Sequence, residues 1–120
     1  MKGGDLMSKL KLTDLLKIPP KEKEVMIRET LKIKLKEPLN GKEFLRVYEE
    51  PAPSLAEEIG SEIAKLCASL NVFVDDPKLS EEEWKEVFLS NAPVFYEIVK
   101  EVMEFAGEVY SSLSPKSGEE

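Results

Sequence analysis

The segment that most constrains the fold is residues 91–113, NAPVFYEIVKEVMEFAGEVYSSL, which is predicted to be a helix that Asn91 caps. A helix on the surface of a small protein needs an apolar arc of only about 100°. Here apolar side chains occupy most of the circumference. Either other helices of the same chain or a second polypeptide must therefore cover the surplus. The apolar positions are Val94, Phe95, Ile98, Val99, Val102, Met103, Phe105, Ala106, Val109, Tyr110 and Leu113.

Two capping motifs predict the helices that precede this segment. Ser54 with Glu57, and Ser80 with Glu83, have the spacing of a capping box. Apolar residues recur every three or four positions after each of them, as they do on one face of a helix. The sequence therefore predicts helices over residues 54–73 and 80–89.

The N-terminal half has a different pattern. Thr13 is predicted to cap a short turn that Pro19 and Pro20 end. Apolar and charged residues then alternate over residues 24–36, which predicts one strand. Two interpretations of residues 40–49 remain open: Asn40-Gly41 can form a hairpin turn, or Asn40 can cap a helix with Glu43.

The length of 120 residues indicates one domain, and 42% hydrophobic residues suffice for a core. We expect a mainly α protein: a small domain of three to four helices with a short N-terminal β segment, over residues 9–113. The alternative is an α+β fold with an N-terminal hairpin. Residues 1–8 and 114–120 are expected to be disordered.

Charge is distributed unevenly along the chain. The net charge is −7, with about +4 over residues 1–49 and about −11 over residues 50–120. The acidic half repels phosphate backbones, and no aromatic residue accompanies Lys32, Lys34 and Lys36. These lysines are interpreted as the solvated face of a strand. We expect no nucleic-acid partner.

The residue types needed for common active sites are scarce. With no His and with Cys67 as the single cysteine, zinc sites and His-based relays lack their usual groups. Carboxylates remain at Asp75, Asp76 and 81–83. The first two fit a turn, and the last three fit the first turn of a helix, where negative charge is favourable. We expect no enzyme, no cofactor and no metal site.

The sequence carries no apolar stretch of 18 or more residues, and the stretch MKGGDLMSKL lacks the continuous apolar region expected of a signal peptide. With one cysteine no intrachain disulfide can form, and we expect a cytoplasmic protein without a membrane partner. Abundant Lys and Glu without His is compatible with the surface chemistry of a thermophile.

Four stretches resemble the small tail-assembly chaperones of tailed phages and related proviruses. They are KLTDLLKIPP, LKIKLKEPLNGKEFLRVYEEP, DDPKLSEEEWKEVF and VFYEIVKEVMEFAG, and they cover roughly residues 9 to 107. The resemblance implies a non-enzymatic protein that binds the tape-measure protein and tail-tube subunits during assembly by masking apolar helical surface.

The apolar residues of the last helix are the candidate partner-binding site. Aromatic and Met side chains are enriched in interface cores. The alternative is a self-associating, homodimeric structural or regulatory protein whose last helices pack on each other. The candidate residues are Phe95, Ile98, Val102, Met103, Phe105 and Tyr110.

Overall fold

The structure, a computed structural model, describes residues 11–111, with side chains described as far as Val109. This part of the chain forms six helices and three strands. The predicted disordered termini, 1–8 and 114–120, lie outside it. The elements are α1 (Leu12–Leu16), β1 (Glu22–Ile27), β2 (Leu31–Lys36), α2 (Gly41–Arg46), α3 (Pro53–Ile59), α4 (Ser61–Phe73), β3 (Val74–Asp76), α5 (Glu81–Ser90) and α6 (Ala92–Ser111).

The fold is α+β, and the prediction of a mainly α protein is wrong. The strand predicted over residues 24–36 is a hairpin of two strands, β1 and β2. Between them the Thr30 N–H donates to the Ile27 carbonyl at 3.0 Å. Arg28 and Glu29 have positive φ values of 54° and 58°. Positive φ at both central residues is typical of the turns whose twist suits a hairpin.

The sheet has the order β1-β2-β3, and both pairings are antiparallel. β3 directly follows α4, and Val74 pairs with Leu35 of β2. The face formed by Ile33, Leu35 and Val74 is fully buried. The sheet therefore supplies a wall of the core that a purely helical arrangement would lack.

The opposite face of the sheet carries alternating charges. Lys32 lies 3.8 Å from Glu24, and Lys34 lies 3.4 Å from Glu22 and 3.8 Å from Asp75. The prediction that the lysine run forms the solvated face of a strand is confirmed.

Residues 40–49 contain a helix, so the hairpin through Asn40-Gly41 is wrong. The Asn40 side chain accepts a hydrogen bond from the Glu43 N–H at 2.8 Å. The helix is shorter than the predicted range and ends at Arg46. The capping residue was recognisable because its bond spans only three residues.

The helix predicted over 54–73 is two helices. Gly60 separates them with φ 91° and ψ 152°, a conformation that breaks the helical hydrogen-bond ladder and that favours glycine. The first helix begins at Pro53 after Ala52, so Ser54 lies inside it and is not its cap. Thr13 likewise lies inside α1.

The start of α5 follows the prediction. The Ser80 hydroxyl accepts from the Glu83 N–H at 3.1 Å, and the Glu83 carboxylate accepts from the Ser80 N–H at 2.9 Å. Asn91 accepts from the Val94 N–H at 3.4 Å at the start of α6. Both caps are confirmed.

The core lies between the apolar face of the sheet and helices α4, α5 and α6. α6 packs against β1, α4 and α5. Leu55 of α3 closes one side with 1% of its surface exposed. The largest fully buried side chains are Trp84, Phe73, Phe95, Ile33, Leu35, Leu55, Leu70, Val74 and Val102.

Candidate functional site

The surplus apolar surface of α6 is largely covered within the chain. Four of the six residues predicted to bind a partner are core residues in the structure. The sheet covers one flank of α6 and helices α4 and α5 cover another, so three walls replace the two that were expected. The four residues are Phe95, Ile98, Val102 and Phe105, each no more than 3% exposed.

Met103 is the predicted residue that stays at the surface, with 43% of its area exposed. The side chain of Tyr110 lies outside the described part of the chain. A partner that binds α6 would therefore meet the flank that carries Met103, and the four core residues would support that flank from beneath.

Tyr96 of α6 and Leu89 of α5 are 48% and 53% exposed. The ring centroid of Tyr96 is 6.2 Å from that of Phe88 and 5.6 Å from that of Phe95. Edge-to-face packing of this kind is a favourable arrangement of two aromatic rings. Met103 follows Tyr96 by seven residues, two helical turns along the same flank. We call Phe88, Leu89, Tyr96 and Met103 the Tyr96 surface.

A second apolar surface belongs to α1 and the residues that follow it. Leu12, Leu15, Leu16 and Ile18 are between 57% and 73% exposed. No residue of α1 is buried. We call residues 12–18 the α1 hook. Its leucines pack against no described core residue, so they are accessible to another molecule.

A third set of exposed apolar side chains surrounds α2. Leu39, Leu45 and Tyr48 are 64%, 54% and 69% exposed. Beside them lies an open cleft of about 190 Å³, lined by Leu39 and Val72 together with basic and acidic side chains. This volume is below the size of a usual small-molecule site. The charged lining is Lys36, Glu37, Glu43, Asp75 and Lys78.

The three carboxylates at the start of α5, Glu81, Glu82 and Glu83, take part in ion pairs and a helix cap. Glu81 forms two hydrogen bonds of 2.7 Å with Arg46, and Glu82 lies 3.0 Å from Lys85. Glu83 completes the cap described above. Within residues 11–111 no group of three or more His, Cys, Asp or Glu residues is placed to hold a metal ion.

The pKa values of the two cations beside these carboxylates are raised, as expected for a cation in an ion pair. The hydrogen bonds that the Arg46 guanidinium donates to Glu81 raise the pKa of Arg46, and the hydrogen bond that the Lys85 ammonium donates to Glu58 raises the pKa of Lys85. Each cation stays charged, so neither can act as a proton donor near neutral pH.

Cys67 is fully buried in α4 and makes no disulfide. Burial raises the pKa of its thiol to about 11. The thiolate is the reactive form of cysteine, so this side chain is unreactive near neutral pH and packs as a small apolar residue, as the sequence predicts.

Sequence reasoning missed Tyr96 and Leu89. The signal that could have found Tyr96 is its angular position on α6. Tyr96 and Met103 lie about 100° and 80° around the helix from Phe95, at the edge of the apolar arc rather than at its centre. Residues at the centre of an arc are covered first, so an exposed binding surface is expected at the flank.

None of the described helices combines the length and the apolar character that crossing a membrane requires. Comparison of the chain with protein-family models, with curated proteins and with solved structures finds no match.

Proposed function

We propose that this protein is a non-enzymatic protein-binding protein that covers an apolar segment of a partner with the Tyr96 surface. The observation that carries the proposal is that the Tyr96 ring packs edge-to-face near Phe88 and Phe95 yet leaves 48% of its area exposed. Rigid aromatic side chains contribute large contact areas at low entropic cost.

The size of this surface favours reversible binding. Full burial of an apolar side chain contributes roughly 1.5–3 kcal/mol, and Leu89, Tyr96 and Met103 are already about half buried. Association also costs translational and rotational freedom. A surface of three or four such residues therefore suits a partner that is held during assembly and then released.

The finer form of this proposal is a tail-assembly chaperone of a viral or proviral element that works in the cytoplasm. It rests on the resemblance of the four sequence stretches and on the unpaired Cys67. Its partner would be an apolar segment of the tape-measure protein or of a tail-tube subunit.

The test uses the products of the genes adjacent to the one that encodes this chain, each co-expressed with it and co-purified. We expect at least one to bind the wild type and to lose at least tenfold in affinity for the double variant Tyr96→Glu, Met103→Glu. The matched control is Tyr48→Glu, which changes an exposed aromatic residue on another surface. Circular dichroism checks that each variant is folded.

Two outcomes would contradict the proposal at different levels. Binding that is equally lost in Tyr48→Glu, or that is unchanged in the double variant, would rule out the Tyr96 surface. Adjacent genes that encode neither a tape-measure nor a tail-tube protein would remove the finer form and leave the general one.

A further inference from the structure

The outer edge of β1 carries main-chain hydrogen-bonding groups that no described strand uses. β1 lies at one end of the strand order, and β2 pairs with its other side. The Glu37 N–H donates to the Lys21 carbonyl at 3.0 Å, which fixes which residues face β2. Because these groups alternate along an antiparallel strand, the N–H and C=O groups of Glu22, Glu24 and Met26 point away from β2. Within the described part of the chain, this edge is open to a further strand.

Helix α6 runs antiparallel to β1 along this edge. Arg28 pairs with Glu97 near one end, and Lys23 lies 3.6 Å from Glu108 near the other. The two lengths agree, because the strand from Lys23 to Arg28 spans about 17 Å and the helix from Glu97 to Glu108 spans about 16.5 Å. A strand added beside β1 would therefore lie next to the flank of α6 that carries these glutamates.

That flank of α6 also carries carboxylates without a counterion. Glu101 and Glu104 lie between Glu97 and Glu108 at spacings of three and four residues, on one stripe of the helix. Among the described residues neither forms an ion pair, whereas Glu97 and Glu108 each have a cation. In the antiparallel alignment of helix and strand, these two carboxylates come level with Val25 of β1.

Val25 provides an apolar contact surface at the same level. Its side chain is half-buried on the face of the sheet that packs against α6. A strand added beside β1 places one residue directly across from Val25, with its side chain on this face. A long basic side chain there can cover Val25 with its methylene groups and bring its cation to Glu101 and Glu104. An acidic side chain at that position would be repelled.

We propose that the β1 edge binds an extended segment of another protein as a fourth, antiparallel strand, with Lys or Arg across from Val25. Antiparallel pairing continues the pattern of the sheet and is the more stable kind per residue. Main-chain hydrogen bonds to Glu24 and Met26 supply affinity, and the side-chain position beside α6 supplies specificity. Met26 is 53% exposed and favours an apolar residue across from it on the outer face of the sheet.

The acidic residues of the edge disfavour the β1 edge of a second copy as the occupant. In the antiparallel pairing of two β1 edges that matches the most residues, Glu24 lies opposite Glu24 of the other copy. Like charges directly opposite each other destabilise a strand pair. Charged residues commonly protect edge strands from self-pairing in this way, and here they leave the edge available to a basic partner.

The β1 edge is separate from the Tyr96 surface. Tyr96 lies about 100° around α6 from Glu97, so a strand at the edge leaves its ring exposed. Binding at the edge therefore goes beyond the function proposed above, and failure of one interaction leaves the other standing.

The test titrates the isotope-labelled full chain with a cyclic β-hairpin peptide and follows the backbone amide signals by NMR. One strand of the hairpin reads Thr-Val-Arg-Thr-Thr, with the main-chain groups of its second and fourth residues directed outward. The fixed conformation removes most of the entropic cost of forming the strand. We expect saturable binding in which the Glu24 and Met26 amides shift most and become protected from hydrogen exchange.

A double-mutant cycle isolates the contribution of the basic side chain. Replacement of the peptide's Arg by Gln should raise the dissociation constant for the wild-type chain by about fivefold, the effect of two exposed ion pairs. The same replacement should have almost no effect on binding to the variant Glu101→Gln, Glu104→Gln. The matched control is Glu57→Gln, Glu62→Gln, which removes the same charge from exposed positions on α3 and α4 and should keep the full effect.

N-methylation of the peptide tests the main-chain hydrogen bonds. Methyl groups on the second and fourth nitrogens remove the donors that face β1 and leave the internal bonds of the hairpin intact. Binding should then be lost, while the NMR spectrum of the free peptide shows that the hairpin is still formed.

Three results would overturn the proposal. The first is the absence of saturable binding, or equal binding of the N-methylated peptide. The second is an effect of the peptide's Arg that is as large in the variant Glu101→Gln, Glu104→Gln as in the wild type. The third is protection of the Glu24 and Met26 amides in the free protein, because this chain or a second copy would then already occupy the edge.

Discussion

Arg46 and Glu81 form a two-point ion pair in which both nitrogen–oxygen distances are 2.7 Å. The pair joins the end of α2 to the first turn of α5. The Arg46 guanidinium also lies 3.3 Å from the Glu50 carbonyl and from a Glu49 carboxylate oxygen. One side chain thus holds α2 and the loop after it against the helical part of the fold.

Arg46→Ala should therefore lower the free energy of unfolding by about 1–2 kcal/mol. This value lies between the contribution of an exposed ion pair and that of a buried charge-assisted hydrogen bond. Arg46→Lys should restore less than half of the loss, because an ammonium group cannot make two parallel bonds to a carboxylate. Urea denaturation measures both. The control is Lys32→Ala, which removes an exposed 3.8 Å pair with Glu24 and should cost less than about 0.5 kcal/mol. Equal losses for Arg46→Ala and Lys32→Ala would contradict the prediction.

The two serines of the predicted caps should differ in their contribution to stability. Ser80→Ala removes the acceptor for the Glu83 N–H and should cost about 1 kcal/mol. Ser54→Ala should cost close to nothing, because α3 begins at Pro53 and its N-cap is Ala52. Thermal and urea denaturation of the two variants provide the comparison. A loss for Ser54→Ala as large as for Ser80→Ala would mean that Ser54 is the N-cap and that α3 starts two residues later than the structure shows.

Replacement of Glu29 by glycine should stabilise the hairpin. Glu29 has φ 58°, and a side chain in this region costs on the order of 1 kcal/mol. Glu29→Gly removes that cost and should raise the free energy of unfolding by about 0.5–1 kcal/mol, after the greater flexibility of glycine in the unfolded chain is subtracted. Glu29→Ala keeps a Cβ and should give no gain. Arg28 is less suitable for this experiment, since it pairs with Glu97.

Ionisation of the Cys67 thiol should lower the free energy of unfolding at alkaline pH. Its pKa is raised to about 11 in the folded chain, against about 8.5 in an unfolded one. Between these values the folded chain binds more protons, so the free energy of unfolding falls as pH rises. The contribution is fully present below about pH 8.5 and is lost toward pH 11. A shift of this size corresponds to on the order of 3 kcal/mol.

The comparison for this prediction is Cys67→Ala, which lacks the thiol and is otherwise identical. Urea midpoints at pH 8 and pH 10.5 should differ less for Cys67→Ala than for the wild type. Parallel pH profiles of the two proteins would show that the thiol does not contribute.

Local signals account for most of what the sequence predicts correctly. The caps at Asn40, Ser80 and Asn91 are bonds between residues three positions apart, so their spacing is visible in the sequence. The lysine face of β2 is visible for the same reason, since strand periodicity is local. Helices α2, α5 and α6 follow from these signals.

Long-range pairing accounts for what was missed. Arg28-Glu29 carries no glycine or asparagine to indicate a turn, so the hairpin depends on the pairing of β1 with β2. β3 has three residues and is a strand because Val74 meets Leu35. The sheet covers one flank of α6 while α4 and α5 cover another, and this explains why Phe95 and Val102 belong to the core rather than to a partner surface.

Gly60 allows α3 and α4 to run in different directions, so that both helices pack against the core. An unbroken helix over residues 53–73 would be a rod about 31 Å long with a single apolar stripe. Gly60 instead forms a bend between the two helices. It lets α3 turn Leu55 inward and place Glu58 3.0 Å from Lys85 of α5, while α4 runs on into the sheet. A residue with a Cβ at position 60 would be strained at φ 91° and would favour one continuous helix. Leu55 would then no longer pack into the core.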